Sequence, residues 1–239
     1  MIIRNWRNCP TSISHGYFIQ REILSKIDLE NPSKEGAVMK HIDSFCRAYL
    51  EPLSTSTETI HDNIQEIIYI VNGEGSLIID GEENFISEGD AVIIPPGLPH
   101  ILDNEINEPL EFLILVESVP EGFKARTEPL FRNYRESPIG QGHWNHLVHK
   151  LFDGNDGLAK INSVLIVGIE AMQTADTHGH NDRTDEIWYM LKGNGLHVVD
   201  REVRRQVAGD AVPVAPSMGH SLINDTDEPL QTFYFAHHE

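Results

Sequence analysis

Four residues in the second half of the chain have the types and the spacing of a metal site. His178 and His180 lie two positions apart, Glu186 follows them, and His220 comes later in the chain. Side chains at positions i and i+2 of a strand point to the same face of a sheet. Three imidazoles and one carboxylate suit a divalent first-row transition metal and leave coordination positions open for water, substrate or O₂. The alternative is that these are surface histidines, because the chain contains 13 of them.

An internal repeat organises the elements that must position these residues. Residues 66–110 align with residues 186–230 without a gap, and 18 of the 45 aligned positions are identical. The identical pairs include His100 and His220. This identity at a fixed offset indicates a duplication, and hence two similar domains.

The repeat unit has the pattern of short β-strands. Runs rich in apolar and β-branched residues are separated by glycine and proline, as at Gly73-Glu74-Gly75 and Gly193-Asn194-Gly195. A Gly-x-Gly segment between two such runs is typical of a hairpin turn, and many short strands at regular spacing favour a β-sandwich or small barrel. No long apolar pattern has the helical period, so we expect little helix. Only a barrel would bring His220 back beside His178 and His180.

Repeat position and composition together predict four segments. They are an N-terminal arm at 1–35, a first domain at 36–118, a linker and second arm at 119–157, and a second domain at 158–239. The two arms contain similar segments, His15-Gly16-Tyr17-Phe18 and His143-Trp144-Asn145-His146. Their correspondence is a hypothesis at this point, because no firm alignment connects them.

The motifs of both halves resemble those of the cupins, in the two-domain form called a bicupin. The second cupin motif is matched in the first half by Gly89, Pro95, Gly97, His100 and Asn104. The second half keeps the same spacing, with Ala215 and Ser217 in place of one proline and one glycine of the motif.

The first cupin motif is matched in the second half by His178, His180, Glu186 and Gly193, with one extra residue between His180 and Glu186. The resemblance implies an all-β fold with two cupin-type barrels, also called double-stranded β-helix or jelly-roll barrels. It also implies that the three histidines and Glu186 bind a metal. The substrate does not follow from it, because one fold hosts many chemistries.

By the same resemblance, the first half keeps only part of the metal-binding set. His61 stands where the family has its second histidine, and Thr59 takes the place of the first. With Glu66 and His100 this leaves two histidines and one carboxylate, a set that non-haem iron enzymes use. One alternative is a working metal site, completed by Gln65 or water, and the other is a decayed site with weaker or no metal, kept for packing and dimer contacts. Because a hydroxyl is a weaker ligand than an imidazole, we expect the second domain to bind metal more tightly.

Strand alternation predicts the residues that line each pocket. If Glu186 points into its barrel, so does Trp188, and the same position in the first half is Ile68. Trp188 would then form an aromatic wall of the active site, the alternative being plain core packing. His197 stands where the first half has Leu77, which makes it a candidate acid–base group or substrate contact.

Two polar segments near the ligands are expected to be solvated. Asp182, Arg183 and Asp185 fill the loop between the ligands, where Arg183 is an alternative partner for a carboxylate. The end of the chain, His237-His238-Glu239, is expected to be an exposed tail outside any site.

Charge and cysteine content exclude several classes of function. The chain has 37 acidic and 18 basic residues, a formal net charge of −19. Such a field repels phosphate backbones and anionic lipids, so we expect neither a nucleic-acid nor a membrane partner. Cys9 and Cys46 cannot form a disulfide framework, and neither a signal peptide nor a membrane-spanning run is visible. We therefore expect a cytoplasmic protein.

The sequence predicts a metal-dependent enzyme that acts on a small organic molecule in its second domain. Fe(II), Mn(II), Ni(II) and Zn(II) all suit the ligand set. Oxidoreductase chemistry of the dioxygenase type is favoured from the family resemblance, while decarboxylase, lyase and sugar isomerase stay open. The competing hypothesis is a non-catalytic cupin that binds a metal or a small ligand. The sequence also leaves a homodimer open.

Overall fold

The computed structural model describes residues 1–180 and 184–238. These residues form an almost purely β structure, which confirms the predicted fold class. The helices of the described residues are three short 3-10 turns: Trp6–Asn8, Tyr134–Glu136 and Gly154–Asp156. None of the helices in these ranges has the length and apolar character that crossing a membrane requires.

The first 133 residues contain thirteen strands. They are β1 (Arg4–Asn5), β2 (Thr11–Ser14), β3 (Phe18–Lys26), β4 (Ala37–Met39), β5 (Ser44–Leu50), β6 (Ser54–Thr55), β7 (Ile64–Asn72), β8 (Glu74–Ile79), β9 (Glu82–Ser87), β10 (Asp90–Ile94), β11 (His100–Asn104), β12 (Leu110–Ser118) and β13 (Leu130–Asn133). The first barrel consists of a large sheet with the order β13-β10-β7-β12-β5-β3-β2 and a small sheet with the order β6-β11-β8-β9. The short strand β4 pairs with β3.

The second barrel repeats this arrangement. Its strands are β14 (Ile139–Gly142), β15 (His146–Asp153), β16 (Ser163–Ile169), β17 (Asp185–Lys192), β18 (Asn194–Val199), β19 (Glu202–Val207), β20 (Asp210–Val214), β21 (His220–Ile223) and β22 (Leu230–His237). The large sheet has the order β1-β20-β17-β22-β16-β15-β14, and the small sheet has the order β19-β18-β21. The central strands β7 and β17 therefore occupy equivalent places.

The segments predicted as arms supply strands to both barrels. Strands β2 and β3, from the first 35 residues, belong to the large sheet of the first barrel, but β1 pairs with β20 of the second. In return, β13 pairs with β10 of the first barrel. The side-chain amides of Asn5 and Asn133 each donate a 2.8 Å hydrogen bond across these junctions, to Asp210 and Asp90 respectively. The two barrels are thus joined by a reciprocal exchange of edge strands.

Strand alternation fills three separate apolar cores. Ile68 and Ile70 point into the first barrel, and Trp188 and Met190 point into the second. The opposite face of the same strands carries residues such as Tyr189, which pack in a third cluster built from both barrels. Each central strand is buried on both faces, so a shift by one residue would exchange the two sets of side chains, and the register is fixed. Glu66 and Glu186 lie two positions before Ile68 and Trp188 and therefore face the interior of their barrels.

Candidate metal centres

The four residues predicted as ligands in the second barrel come together at the mouth of that barrel. His178 forms an isolated β-bridge with His220, with backbone hydrogen bonds of 3.1 and 2.7 Å in the two directions. Glu186 lies near the start of β17. One donor atom each of His178, His180, Glu186 and His220 lies within 4.8 Å of all the others. The barrel therefore brings together His178 and His220, which are more than 40 positions apart in the chain.

The orientation of the imidazoles suits a cation at the point where they meet. The Nδ1 atoms of His178 and His220 lie 3.3 Å from the backbone oxygens of Asp176 and Met218 respectively. A carbonyl at Nδ1 fixes the tautomer and leaves Nε2 as the free donor atom. The Nε2 atom of His220 is buried and has no well-aligned hydrogen bond in the described part of the chain, although it lies 2.8 Å from Glu186 Oε1. A buried imidazole nitrogen of this kind beside a carboxylate fits a divalent metal ion.

The electrostatics of this centre favour the protonation states that ligands need. Burial alone would raise the pKa of Glu186, but its contacts with His220 and Trp188 outweigh that effect and lower the pKa. Burial, together with the neighbouring His220 and His143, lowers the pKa of His178 to about 4. Near neutral pH the carboxyl group is ionised and this imidazole is neutral, as metal coordination requires.

The first barrel also brings four donor side chains together, one more than the sequence predicts. His61, Glu66 and His100 meet as expected, and His15 joins them from the turn between β2 and β3. The nearest oxygens of Glu66 lie 3.3 Å from the Nε2 of His15, 3.6 Å from that of His61 and 3.2 Å from that of His100. Burial works against ionisation of Glu66, but the contacts with these three histidines hold its pKa well below the usual range.

Thr59 and Gln65 do not complete the first centre. Thr59 pairs with His100 through its backbone as His178 does with His220, but its hydroxyl donates to the backbone oxygen of Thr57 at 3.2 Å. The side-chain amide of Gln65 donates to Glu117. Because Gln65 precedes Glu66 on a strand, its side chain points to the opposite face of the sheet. The hypothesis that Gln65 completes the shell is therefore wrong.

The hypothesis that the two arm segments correspond is confirmed by their hairpins. Ser14 pairs with Phe18 at the end of the β2–β3 hairpin, and Gly142 pairs with His146 at the end of the β14–β15 hairpin. His15 and His143 occupy the same turn position with φ of 47° and 41°. His15 and His143 are thus equivalent residues, and so are Phe18 and His146. The repeat alignment of residues 66–110 could not reveal this, because the hairpins lie outside it.

A cavity of about 250 Å³ opens beside the second centre. Trp188 lines it, and its indole Nε1 donates a 2.8 Å hydrogen bond to Glu186 Oε1. The wall is otherwise mostly apolar, with polar contributions from His143, His146, Ser163, Tyr234 and His238. Its lining residues are Gly142, His143, His146, Val148, Ser163, Leu165, Val167, His178, His180, Glu186, Trp188, Tyr234 and His238.

His146 is a pocket residue that the sequence did not single out. It is 2% exposed, and its Nε2 has no hydrogen-bond partner in the described part of the chain. Burial, with the nearby His143 and His178, lowers its pKa to about 4. A neutral imidazole in the cavity wall can exchange a hydrogen bond with a ligand, but it supplies no positive charge near neutral pH.

His197 does not line this cavity, contrary to the prediction that it contacts substrate. It is fully buried, meets the Trp188 ring edge-on at 6.2 Å between centroids, and bonds through Nδ1 to Gln206 Oε1 at 2.9 Å. The amide of Gln206 in turn donates to the backbone oxygen of Trp188 at 2.8 Å. This placement makes His197 a support for Trp188 rather than a residue that touches ligand.

Each of the two segments expected to be solvated contains a residue for which that prediction is wrong. Asp185 is buried and accepts hydrogen bonds from the backbone N–H groups of Lys40, His41 and Ile42, so the prediction for it is wrong. Asp182, Arg183 and Glu239 lie outside the described residues. His238 is not an exposed tail residue, because its Nε2 lies 3.1 Å from the Tyr234 hydroxyl and its ring lies 4.8 Å from that of His180. The final strand β22 carries it to the cavity because that strand extends through His237.

Comparisons with known proteins agree with this architecture. The family model described as "Cupin domain" matches residues 47–116 and 165–235, one match in each barrel. An oxalate-binding protein from Thermotoga maritima is 29% identical over 121 residues, which cover 48% of this chain and 93% of that protein. An uncharacterized protein from Methanocaldococcus jannaschii is 40% identical over 53 residues, which cover 22% of this chain and 42% of that protein. This chain therefore spans less than half the length of the latter relative.

Solved structures of oxalate decarboxylase share the fold. One of them matches this chain with a TM-score of 0.76 and 17% sequence identity, over 100% of this chain and 77% of that one. A deletion mutant of the enzyme from Bacillus subtilis gives a TM-score of 0.75 at the same identity and coverage. At this identity the likeness establishes the two-barrel fold and leaves the reaction undetermined.

Proposed function

The chain belongs to the cupin domain family, and from that premise we propose that it is a metal-dependent enzyme whose second barrel acts on a small organic molecule. The observation that carries the proposal is the cavity of about 250 Å³ lined by His178, His180 and Glu186, three of the four donors of the second centre. Concave, mostly apolar pockets with a few convergent polar groups are the usual form of small-molecule sites.

One group of polar residues around the cavity would bind the metal, and another would bind the ligand. His178, His180, Glu186 and His220 would hold the metal, which supplies Lewis-acid activation of an oxygen donor or a site for O₂. Trp188 holds Glu186 through its indole N–H and walls off water on the side of β17. Tyr234 and His238 form a hydrogen-bonded pair that faces the same space and can orient a polar group of the ligand.

The lining favours a ligand with an oxygen-donor end and an apolar body. Among the described residues, no lysine or arginine lines the cavity. A carboxylate or enolate oxygen would therefore be neutralised by the metal rather than by a cationic side chain. Val148, Leu165 and Val167 offer apolar contact to the rest of the molecule. Short 2-oxo acids and 1,3-diketones have this build and are the substrate class that we propose.

For such substrates we propose O₂-dependent cleavage of the dioxygenase type, with decarboxylation as the principal alternative. The set of three imidazoles and one carboxylate supports the first, because it would leave a bound metal positions for substrate and O₂. The fold shared with oxalate decarboxylase supports the second.

A non-catalytic binding role is the second candidate function. It is supported by the relative named oxalate-binding protein, which is 29% identical over the matched half of this chain. In that case the metal and the cavity would hold a small acid without converting it.

The test is turnover of a substrate panel by protein reconstituted separately with Fe(II), Mn(II), Ni(II) and Zn(II). Short 2-oxo acids, 1,3-diketones, oxalate and sugars are incubated with and without O₂, while O₂ consumption and CO₂ release are recorded. Consumption of O₂ with a diketone or oxo acid supports the dioxygenase proposal, and CO₂ release without O₂ uptake supports decarboxylation. Saturable binding by calorimetry with no turnover of any compound would replace the enzyme by the binding function. His220→Ala serves as the control that lacks a ligand of the second centre.

A further inference from the structure

The turn between β2 and β3 carries a histidine to the side of the first centre that Thr59 leaves without an imidazole. We propose that His15 is the fourth ligand of a metal ion in the first barrel, delivered by the N-terminal hairpin instead of by the motif position. The proposal concerns the first barrel and does not depend on which reaction the second barrel performs.

The position and orientation of the His15 ring match those of a ligand. Its Nε2 lies 3.3 Å from Glu66 Oε2, and its ring centroid lies 5.7 Å from that of His61 and 5.5 Å from that of His100. Its side chain is only 7% exposed. Surface histidines rarely bury their rings against a carboxylate and two further imidazoles without a common partner.

Contacts on the other side of the ring fix its direction. The Nδ1 atom lies 3.2 Å from the Ser14 hydroxyl, which itself donates to Gln20 Oε1 at 2.7 Å. The ring also stacks on Phe18 with 4.4 Å between centroids. A polar partner at Nδ1 is the arrangement that metal-binding histidines normally have, because it fixes the tautomer and directs Nε2 to the metal.

The backbone of the hairpin is adapted to this close approach. Gly16 has φ of 73°, and a Cβ at this residue would lie 1.9 Å from the hydroxyl oxygen of Thr57. The N–H of Thr57 donates to the backbone oxygen of His15 at 2.8 Å. The absence of a side chain at residue 16 therefore lets the turn press against the segment between β6 and Thr59.

The equivalent hairpin of the second barrel behaves differently. Trp144 takes the place of Gly16 and is 64% exposed. His143 lies 3.3 Å from the carboxylate of Asp176 and stacks on His178 at 3.6 Å, with an angle of 8° between the rings. His143 thus covers a ligand that the motif already provides, whereas His15 occupies the place of a ligand that the motif lacks.

The consequence is that both barrels offer three imidazoles and one carboxylate. Thr59 by itself would make the first site weak, but His15 supplies the third imidazole. We expect two metal ions per chain, with the first bound beside apolar residues. Phe18, Ile68 and Ile114 stand in the first barrel where the second has His146, Trp188 and Tyr234.

The experiment measures metal per chain by elemental analysis after reconstitution with Mn(II). We expect two ions in the wild type, one in His15→Gln, two in the matched control His143→Gln, and two again in the double variant His15→Gln/Thr59→His. The affinity loss in His15→Gln should exceed the roughly 10- to 100-fold that mutation of an outer partner costs. Two tightly bound ions in His15→Gln, or an equal loss in His143→Gln, would overturn the proposal.

A second measurement keeps His15 intact and so does not depend on the stability of that variant. In His178→Ala/His220→Ala, which disables the second centre, pulsed EPR of the remaining Mn(II) counts the coupled imidazole nitrogens. Three coupled imidazoles support His15 as a ligand, and two contradict it.

Discussion

The two barrels hold the same donor set in different ways and surround it with different walls. In the second barrel all three histidines come from the motif positions, and the hairpin histidine His143 stacks on one of them. In the first barrel the hairpin itself brings the third imidazole, His15, to the carboxylate. Duplication therefore preserved the chemistry of the centre more faithfully than the identity of the residues that provide it.

The walls show the opposite trend, because equivalent positions have diverged in chemical character. The second barrel places an imidazole, an indole and a phenol around its cavity, at His146, Trp188 and Tyr234. The first barrel has Phe18, Ile68 and Ile114 at these positions, all of them at most 2% exposed. The first set of side chains can orient a substrate through hydrogen bonds, whereas Phe18, Ile68 and Ile114 offer apolar contact only.

Removing a ligand from each barrel in turn should produce the largest difference. We expect His220→Ala to lose one metal per chain and all measurable turnover, because the proposed function assigns the chemistry to the metal of the second barrel. The matched variant His100→Ala should also lose one metal but keep turnover. Elemental analysis and the substrate panel measure the two outcomes. Retained turnover in His220→Ala together with its loss in His100→Ala would move the active site to the first barrel.

Shortening the aromatic wall should separate metal binding from turnover. We expect Trp188→Ala to retain its metal while turnover falls about 100-fold, since a displaced ligand loses the alignment that the indole provides. Trp188→Phe keeps a ring but removes the hydrogen bond to Glu186, so an intermediate rate is expected. Ile68→Ala is the equivalent change in the first barrel and should leave the rate unaltered. Equal turnover in Trp188→Ala and the wild type would reduce this residue to core packing.

The buried His197 should make the second barrel more sensitive to acid than the first. Burial lowers its pKa from 6.5 to about 4, so the unfolded state binds the proton more readily than the folded state does. The contribution of His197 to the free energy of unfolding is therefore fully present above pH 6.5. It is lost as the pH falls towards 4, and the loss amounts to roughly 3 kcal/mol.

His197→Leu, which installs the first-barrel residue, should remove that part of the pH dependence. Urea unfolding of chelator-treated protein between pH 4 and pH 7 measures it, and the relevant quantity is the slope against pH rather than the absolute stability. Identical slopes in the variant and the wild type would show that His197 does not resist protonation.

Adding a methyl group at Gly16 should have the smallest but most local effect. Alanine is disfavoured at φ of 73° and would also meet Thr57, so Gly16→Ala should cost about 1–3 kcal/mol and weaken metal binding in the first barrel only. Gly140→Ala is a suitable control in the other hairpin, because a Cβ there has no contact closer than 3.6 Å. Thermal unfolding and metal titration compare the two. Unchanged metal affinity in Gly16→Ala would argue against the hairpin as the carrier of a ligand.

Sequence patterns predicted the fold and most of the second centre because both depend on local periodicity. The repeat fixes two copies, the glycine and proline spacing fixes the strand lengths, and alternation places Glu186 and Trp188 on one face. His238 and Asp185 were mispredicted because their surroundings come from elsewhere. His238 meets Tyr234 and His180, and Asp185 is held by backbone groups of residues 40–42.

What the sequence determined by itself is the inventory of donors at the motif positions: His178, His180, Glu186 and His220 in one copy, and His61, Glu66 and His100 in the other. Only the tertiary structure decided that His15 joins the set of the first barrel. It also decided that His146 rather than His197 faces the cavity of the second barrel. The physical reason is that a strand's own period fixes the face on which a side chain lies. Which segment packs over that face depends on hairpin contacts such as that of Gly16 with Thr57, and these join residues that no local pattern connects.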